Sequence, residues 1–277
     1  MAHDLKDTTF IIPVRIESDD RLRNVITVLC YLLEEYDTQV IVKEVDETSR
    51  FREEALPQIF EYVGPRLEQL RYFWEDKDPD DDVFYRMRYI NEMLSKVETP
   101  VVANYDCDVL MEPKAYLQAQ SAIVEGGYDV IYPFGQGAWQ KKVTANDELV
   151  SEFLSNDCDF NILDRNIEMD NAESGHVQFF KTSAYREGGM ENENFRGSSP
   201  EDKERIHRFN TLGYNVGRIE NYIYHLEHSR GNNSWPNSFH GNPHMQENFA
   251  LYEFLIQLSP EELRAYYNEQ KYLKKYT

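Results

Sequence analysis

Residues 101–108 read VVANYDCD, a short apolar run that closes on two carboxylates, Asp106 and Asp108. Side chains alternate along a β-strand, so these two aspartates are predicted to point to the same side. Two like charges at the end of a buried strand are unfavourable unless a positive group lies beside them. Hard oxygen ligands suit magnesium and manganese, and the pair therefore predicts a divalent cation with a phosphorylated ligand. The alternative for an isolated Asp-x-Asp is ordinary turn or cap chemistry.

Strand and helix patterns alternate on the N-terminal side of this run. A β-branched strand at residues 8–15 is followed by an amphipathic helix that Ser18 caps, and by a second strand at residues 39–45. A third strand at residues 69–74 and a helix at residues 87–97 complete the series. This order predicts the α/β class, with right-handed crossovers onto a mostly parallel sheet flanked by helices.

Polar residues follow several of the predicted strands. Arg15 ends the first strand, Asp46 the second, and Asp106 and Asp108 the fourth. In open parallel sheets, ligands bind beyond the carboxyl ends of the strands. These side chains are therefore predicted to converge on one site at that edge.

The second half of the chain has a weaker pattern. Strands are predicted at residues 129–132 and 176–181, and the polar segment between them, residues 136–174, is predicted to be an irregular loop over a site. SPED at residues 199–202 has the order of a helix start, with a serine cap, a proline in the first turn and two acids. SPEE at residues 259–262 repeats this order and predicts a C-terminal helix.

Composition limits the class of partner. The 50 acidic and 29 basic residues give a net charge of −21, which repels nucleic acid and anionic lipid. No apolar run reaches the roughly 20 residues that span a bilayer, and residues 1–7 are too polar for a signal peptide. Three cysteines, Cys30, Cys107 and Cys158, form no set of pairs and fit a reducing compartment. A cytoplasmic location is expected, with a peripheral position at the inner membrane face as the alternative.

Three further clusters have both a functional and an ordinary interpretation. His225 and His228 could face one metal ion, or could be surface histidines beside a strand. Glu201-Asp202 could supply a general base, although a helix dipole alone explains two acids in a first turn. The segment FYRMR at residues 84–88 could hold a phosphate and stack on a base, or could simply start an amphipathic helix.

Other nucleotide-binding and hydrolase classes are excluded. The chain has no Gly-x-Gly-x-x-Gly after a strand and no Gly-Lys-Ser/Thr loop, which excludes the dinucleotide and P-loop classes. It also lacks a serine nucleophile elbow.

Taken in order, these clusters resemble those of GT-A-fold, nucleotide-sugar-dependent glycosyltransferases. The resemblance is greatest to the β1,4-galactosyltransferases, with bacterial capsule-type transferases as relatives, and it covers residues 8–238. It implies a GT-A, Rossmann-like mixed sheet with an added C-terminal helical segment, in one catalytic domain at residues 1–277. Within that domain it implies a nucleotide-binding half at residues 8–112, an acceptor and metal half at 113–240, and a helical extension at 241–277.

The resemblance also implies roles for single residues. Asp108 would bind the metal with His225 and His228, which belong to a segment similar to the family's His-Ser-Arg segment with its downstream Pro-Asn, residues 236–237 here. Asp202 would be the catalytic base, and Glu201 would bind sugar hydroxyls. Five residues would bind the nucleotide, with Asp106 on the ribose or on metal-bound water: Pro13, Arg15, Phe84, Arg86 and Asp106. Asp46, at the end of the second strand, is expected to bind the nucleotide as well because of its position.

The function implied is transfer of a hexose, galactose or N-acetylgalactosamine, from a UDP-sugar to a glycan or lipid-linked saccharide, with inversion. Manganese would be the cofactor, with magnesium as the alternative. The enzyme would act in polysaccharide or capsule biosynthesis. A retaining transferase and a non-catalytic nucleotide-sugar or glycan-binding protein are the alternatives. The second is motivated by one departure from the family: FRGSSP at residues 195–200 replaces the tryptophan-glycine loop that forms the acceptor platform.

Overall fold

The computed structural model describes residues 2–231 and 237–276. Strands and helices alternate through its first half, as the sequence predicts. Ser18 caps the first helix, because its side chain accepts a hydrogen bond from the Arg21 amide. The elements are β1 (His3–Val14), α1 (Asp19–Glu35), β2 (Tyr36–Asp46), α2 (Leu56–Val63), β3 (Leu70–Asp76), α3 (Arg86–Leu94) and β4 (Val101–Tyr105).

The second half contains more regular structure than the sequence predicts. The elements are β5 (Val109–Leu110), α4 (Pro113–Val124), β6 (Val130–Tyr132), β7 (Gly137–Val143), α5 (Asp147–Ser155), α6 (Phe160–Leu163), β8 (Ile167–Ala172), β9 (Val177–Lys181), α7 (Thr182–Glu187), α8 (Glu201–Thr211), β10 (Val216–Arg218), β11 (Ile223–Leu226), α9 (Ser238–Gly241), α10 (Met245–Leu255) and α11 (Pro260–Asn268).

A seven-stranded sheet forms the centre of the molecule, in the order β10-β6-β9-β4-β1-β2-β3. Only β9 runs antiparallel to its neighbours among these seven strands. Helices α3 and α4 pack against β1, and its residues from Phe10 to Ile12 are fully buried. The predicted α/β class with a mostly parallel sheet flanked by helices is therefore confirmed. No helix of the described residues is long and apolar enough to cross a membrane.

A second, four-stranded sheet has the order β5-β11-β7-β8. The prediction of an irregular loop at residues 136–174 is wrong, because β7, α5 and β8 lie there. Polar residues in β7 keep its sequence from showing the apolar pattern of a strand. Lys141 is buried there, and its ammonium group donates to Asp164 at 2.6 Å and to the Tyr224 hydroxyl at 2.8 Å. Such long-range partners leave no periodic signal in the sequence.

The two predicted Ser-Pro helix starts have different outcomes. Ser259 caps α11 in a full capping box with Glu262, as predicted. The cap predicted at Ser199 is wrong: α8 begins at Glu201 after Pro200, without a side-chain cap. Ser199 has a φ of 63°, whereas a capping residue needs an extended backbone.

Candidate functional site

The aspartates of residues 101–108 lie in a turn and not on a strand. β4 ends at Tyr105, and the Asp106 amide then donates to the His176 carbonyl at 3.0 Å. The Asp108 carbonyl accepts from the Leu226 amide at 2.8 Å. The predicted strand alternation is therefore not what brings the two carboxylates together. The turn nevertheless directs both into one cavity.

This cavity, of about 210 Å³, lies at the carboxyl edge of the large sheet, and we call it the edge cavity. Eight of the eleven predicted site residues line it: Pro13, Arg15, Phe84, Arg86, Asp106, Asp108, His225 and His228. Asp46 ends β2 at the same edge but lies outside the cavity lining, with its carboxylate accepting from the Glu47 amide at 2.8 Å. The remaining two, Glu201 and Asp202, line a neighbouring cavity.

Asp108, His225 and His228 form a buried group that fits a metal ion. One ligand atom from each lies within 4.8 Å of the others. Asp108 Oδ2 is 3.0 Å from His228 Nε2, and Asp108 Oδ1 is 3.8 Å from His225 Nε2. β11 supplies His225 beside β5, so a strand pairing between distant parts of the chain builds the group.

The second nitrogen of each imidazole determines which atom faces this group. His225 Nδ1 lies 2.7 Å from Glu227 Oε1, and His228 Nδ1 lies 2.7 Å from the Ser229 carbonyl. Both acceptors require a proton on Nδ1, so Nε2 is left with a lone pair. His228 Nε2 is buried and makes no hydrogen bond within the described part of the chain. A carboxylate and two imidazole lone pairs facing one point are a donor set for a divalent cation such as manganese.

Burial and charge set the two aspartates apart. Burial raises the pKa of Asp106, and the adjacent Arg86 guanidinium only partly opposes this. Burial alone would also raise the pKa of Asp108, but the electrostatic attraction of the adjacent His225 and His228 side chains outweighs it and holds that pKa well below the ordinary value. A divalent cation among the same atoms acts with the same sign. Asp108 thus lies against the two imidazoles, whereas Asp106 pairs with Arg86.

Arg15 lines the edge cavity and is held by two hydrogen bonds. Its Nε donates to the Val45 carbonyl at 3.1 Å and its Nη1 to the Asp82 carbonyl at 2.9 Å. Its guanidinium carbon lies 5.2 Å from the centre of the Phe84 ring. Arg15 Nη2 is buried and lacks a hydrogen-bond partner among the described residues. This atom is available to an anionic ligand in the cavity.

His176 is a site residue that the sequence reasoning missed. It lines the edge cavity, and its Nε2 lies 3.0 Å from Gln140 Oε1 on β7. Burial lowers the pKa of His176 to about 4, and the nearby His225 adds to this. The neutral ring donates through Nε2 to the glutamine oxygen. A φ of 68° turns the chain at His176, which no periodic pattern predicts.

Glu201 and Asp202 line the second cavity, of about 360 Å³, which we call the acidic cavity. Gly175 lines the acidic cavity and the next residue, His176, lines the edge cavity, so the two are neighbours. A Cβ placed on Gly175 would lie 3.2 Å from Asp202 Oδ2. This oxygen therefore lies beside Gly175, next to the residue that lines the edge cavity.

A buried ion network holds Asp202 in place. Arg205 Nη1 donates to Asp202 Oδ1 at 2.6 Å, while Nε and Nη2 bind both oxygens of Glu191 at 2.6 and 2.9 Å. The backbone of Glu191 is fixed by the Asn91 side chain, which accepts from its amide at 2.8 Å and donates to its carbonyl at 2.9 Å. The spacing of Asp202 and Arg205, three apart on one helix, is the signal of this ion pair in the sequence.

Glu201 is 5% exposed, and its Oε2 finds no hydrogen-bond partner among the residues that the structure describes. Burial raises the pKa of Glu201 to about 8, and the like charge of Asp202 adds to this. At neutral pH the carboxyl group is therefore mostly protonated, so it can donate a hydrogen bond.

The raised pKa of Glu201 predicts a pH-dependent stability. The folded state binds the Glu201 proton more tightly than the unfolded state does. Protonation therefore contributes fully to the free energy of unfolding below pH 4.5, and this contribution is lost as the pH rises through about 8. Glu201→Gln keeps the shape and removes the ionisation. We expect the melting temperature of the variant, relative to the wild type, to be higher at pH 9 than at pH 5. The exposed Glu61→Gln is the control, and an equal difference at both pH values would contradict the assignment.

Solved structures that are similar to this chain include two glycosyltransferases. The mannosyltransferase PcManGT from Pyrobaculum calidifontis, in complex with GDP-Man and Mn²⁺, has a TM-score of 0.58 and 12% identity, over 96% of this chain and 69% of that one. TarS 1–349 from S. aureus has a TM-score of 0.53 and 14% identity, over 94% and 68%. The chain has a GT-A-type glycosyltransferase fold. This confirms the predicted fold class.

Identities of 12% and 14% establish the fold alone. No protein-family model and no curated protein sequence matches the chain. The resemblance to β1,4-galactosyltransferases and to capsule-type enzymes therefore stays a prediction, as do the roles of the single residues. The mannosyltransferase contains GDP-Man, whereas the family resemblance implies a UDP-sugar for this chain. Of the family's downstream Pro-Asn, Pro236 lies outside the described residues, while Asn237 donates to the Arg230 carbonyl at 2.6 Å.

Proposed function

We propose that this protein is a metal-dependent glycosyltransferase that moves a hexose, galactose or N-acetylgalactosamine, from a UDP-sugar to a glycan acceptor with inversion. The observation that supports this most is the adjacency of the two cavities. One cavity has a metal donor set and arginines, and the other has a carboxylate held in place by an ion network. A transferase needs both in contact, because the sugar carbon lies between the diphosphate and the attacking hydroxyl.

In this proposal the edge cavity binds the donor. Asp108, His225 and His228 would hold manganese, with magnesium as the alternative, and the bound ion supplies positive charge for the departing diphosphate. Arg15 offers Nη2 to the nucleotide, and Phe84 provides a ring face beside it. The protein is strongly acidic, so such local cations are required for an anionic donor.

The acidic cavity would bind the acceptor. Asp202 takes the proton of the attacking hydroxyl at Oδ2, while Arg205 holds Oδ1 and fixes the direction of the carboxylate. Attack from the face opposite the diphosphate inverts the anomeric centre through an oxocarbenium-like state. Glu201, protonated in its buried position, donates to a sugar hydroxyl.

The proposal extends to the parts of the chain and to the setting. Residues 8–112 bind the nucleotide, residues 113–240 provide the metal and acceptor side, and residues 241–277 form a helical extension. The acceptor is a glycan or lipid-linked saccharide in polysaccharide or capsule synthesis, at the cytoplasmic face of the membrane. Asp46 would contact the nucleotide only if the bound donor extends beyond the edge cavity.

A thermal-shift screen of UDP-, GDP- and CDP-sugars, with and without Mn²⁺, tests the donor. A ligand at 100 times its Kd stabilises the folded state by about 2.7 kcal/mol. We expect UDP-sugars to raise the melting temperature, and to do so more with Mn²⁺. UMP is the control, because it lacks the diphosphate that the metal would bridge. A shift with GDP-sugars alone would overturn the uridine assignment, and no shift with any of them would overturn the proposed function.

A further inference from the structure

We propose that Phe249 of α10 is the acceptor platform of the acidic cavity, and that the cavity binds an uncharged pyranose ring. This inference rests on the proposed function and adds the class of acceptor. Phe249 is half-buried and lines the cavity together with Pro200, Glu201 and Asp202. The platform thus comes from the C-terminal segment of the chain, some 50 residues after the loop in which the family resemblance places it.

The loop at residues 195–200 offers no aromatic surface of its own. Phe195 is its one aromatic residue, and only 1% of Phe195 is exposed, because it belongs to the hydrophobic core. It does not line the acidic cavity. An aromatic face for a sugar must therefore come from elsewhere, and Phe249 is the aromatic residue that the cavity lining contains.

Two buried asparagines fix α10 against this loop. Asn248 accepts from the Arg196 amide at 3.1 Å and donates to the carbonyls of Arg196 and Ser199 at 2.9 and 3.1 Å. Asn242 donates to the Arg196 carbonyl at 2.8 Å. Since Asn248 precedes Phe249, these bonds set the ring beside Ser199 and Pro200. A binding surface held this way loses little conformational entropy when a ligand arrives.

The polar wall of the cavity complements the ring of Phe249. Glu201 is buried and its Oε2 has no hydrogen-bond partner within residues 2–231 and 237–276, although it lines the cavity. A pyranose presents C–H groups on one face and hydroxyl groups around its edge. The electropositive C–H groups pack on the negative face of an aromatic ring, and a hydroxyl can pair with the unsatisfied carboxyl oxygen. The volume of about 360 Å³ suits a small ligand.

The charge of the cavity selects against anionic acceptors. The carboxylates of Glu173 and Asp202 line it with the mostly protonated Glu201. Lys203 is the one cation of this lining, and its ammonium group lies 3.9 Å from Glu173. A uronic acid or a phosphate placed there would meet like charge without a matching cation. A neutral sugar meets no such repulsion.

Saturation-transfer NMR with methyl glycosides tests the inference in the presence of UDP and Mn²⁺. The neutral probes are methyl β-glucoside, methyl β-galactoside and methyl β-N-acetylglucosaminide, and the anionic probe is methyl β-glucuronide. We expect at least one neutral glycoside to bind, and the glucuronide to bind at least about tenfold more weakly. Phe249→Ala should weaken the neutral glycoside by about tenfold, whereas Phe249→Tyr should keep its binding.

Phe254→Ala is the matched control, since Phe254 lies on the same helix, is 51% exposed and does not line the cavity. The thermal shift with UDP-sugar and Mn²⁺ should be unchanged in every variant, which separates this inference from the proposed function. Wild-type binding by Phe249→Ala, glucuronide binding equal to that of the neutral probes, or no glycoside binding by the wild type would each overturn the inference. Loss of the nucleotide shift in Phe249→Ala would indicate a structural role and would overturn it too.

Discussion

Asp202→Asn is expected to lower the rate of sugar transfer by about 10²–10⁴-fold, the usual cost of removing a general base. Asparagine has nearly the same shape, and its oxygen can still accept the 2.6 Å hydrogen bond from Arg205. It cannot take a proton at the position of Oδ2, which lies beside Gly175. The loss should therefore appear in kcat, while the affinity for UDP-sugar and Mn²⁺ remains near that of the wild type.

The exposed Asp157→Asn is the control for this substitution, because it makes the same chemical change away from both cavities. Arg205→Lys adds a second readout. Lysine has no planar fork that can bind Asp202 and Glu191 at once. The maximal kcat should therefore fall, and the pH dependence of kcat should shift. Near-native transfer by Asp202→Asn, with normal nucleotide binding, would mean that another group is the base.

Asp108→Asn is expected to abolish the manganese-dependent part of UDP-sugar binding and to reduce transfer to background. The substitution keeps the volume of the side chain but removes the one negative charge among the three ligand atoms. The loss of manganese affinity should exceed the roughly 10–100-fold loss that follows substitution of a residue hydrogen-bonded to a metal ligand. Manganese titration by electron paramagnetic resonance measures it directly.

Glu227→Gln provides that outer-shell comparison, because Glu227 Oε1 accepts from His225 Nδ1 at 2.7 Å without belonging to the ligand group. Asp7→Asn, exposed on β1 at the opposite edge of the sheet, is the neutral control. The expected order of manganese affinity is Asp7→Asn equal to wild type, then Glu227→Gln, then Asp108→Asn. Wild-type manganese affinity in Asp108→Asn would show that the metal binds elsewhere.

Local signals in the sequence were sufficient for the first half of the fold. The cap at Ser18 and the period of apolar residues after it are short-range features, and α1 begins where they predict. Carboxyl ends of parallel strands share one edge, so placing Arg15 and Asp106 at strand ends also placed them together. The cavity that they line was predictable for this reason.

Contacts between residues far apart in the sequence determine the second half of the fold. The strand β7 has buried polar residues such as Lys141, whose partners on other elements are invisible in a periodic pattern. Phe249 lines the acidic cavity, and the adjacent Asn248 binds α10 to a loop some 50 residues earlier. Asp46 shows that a position at the end of a strand is not sufficient. It lies at the same edge of the sheet, but its carboxylate accepts a hydrogen bond from the Glu47 amide and it does not line the cavity.

Proton NMR of the reaction product is the most direct test of metal-dependent, inverting sugar transfer. The protein would be mixed with Mn²⁺, an α-linked UDP-sugar and a neutral methyl glycoside that binds the acidic cavity. We predict a β-linked disaccharide, recognised by its anomeric coupling, that forms with manganese and is absent when the metal is chelated. An α-linked product would contradict inversion, and bound donor without any product would mean that the protein is a nucleotide-sugar-binding protein and not an enzyme.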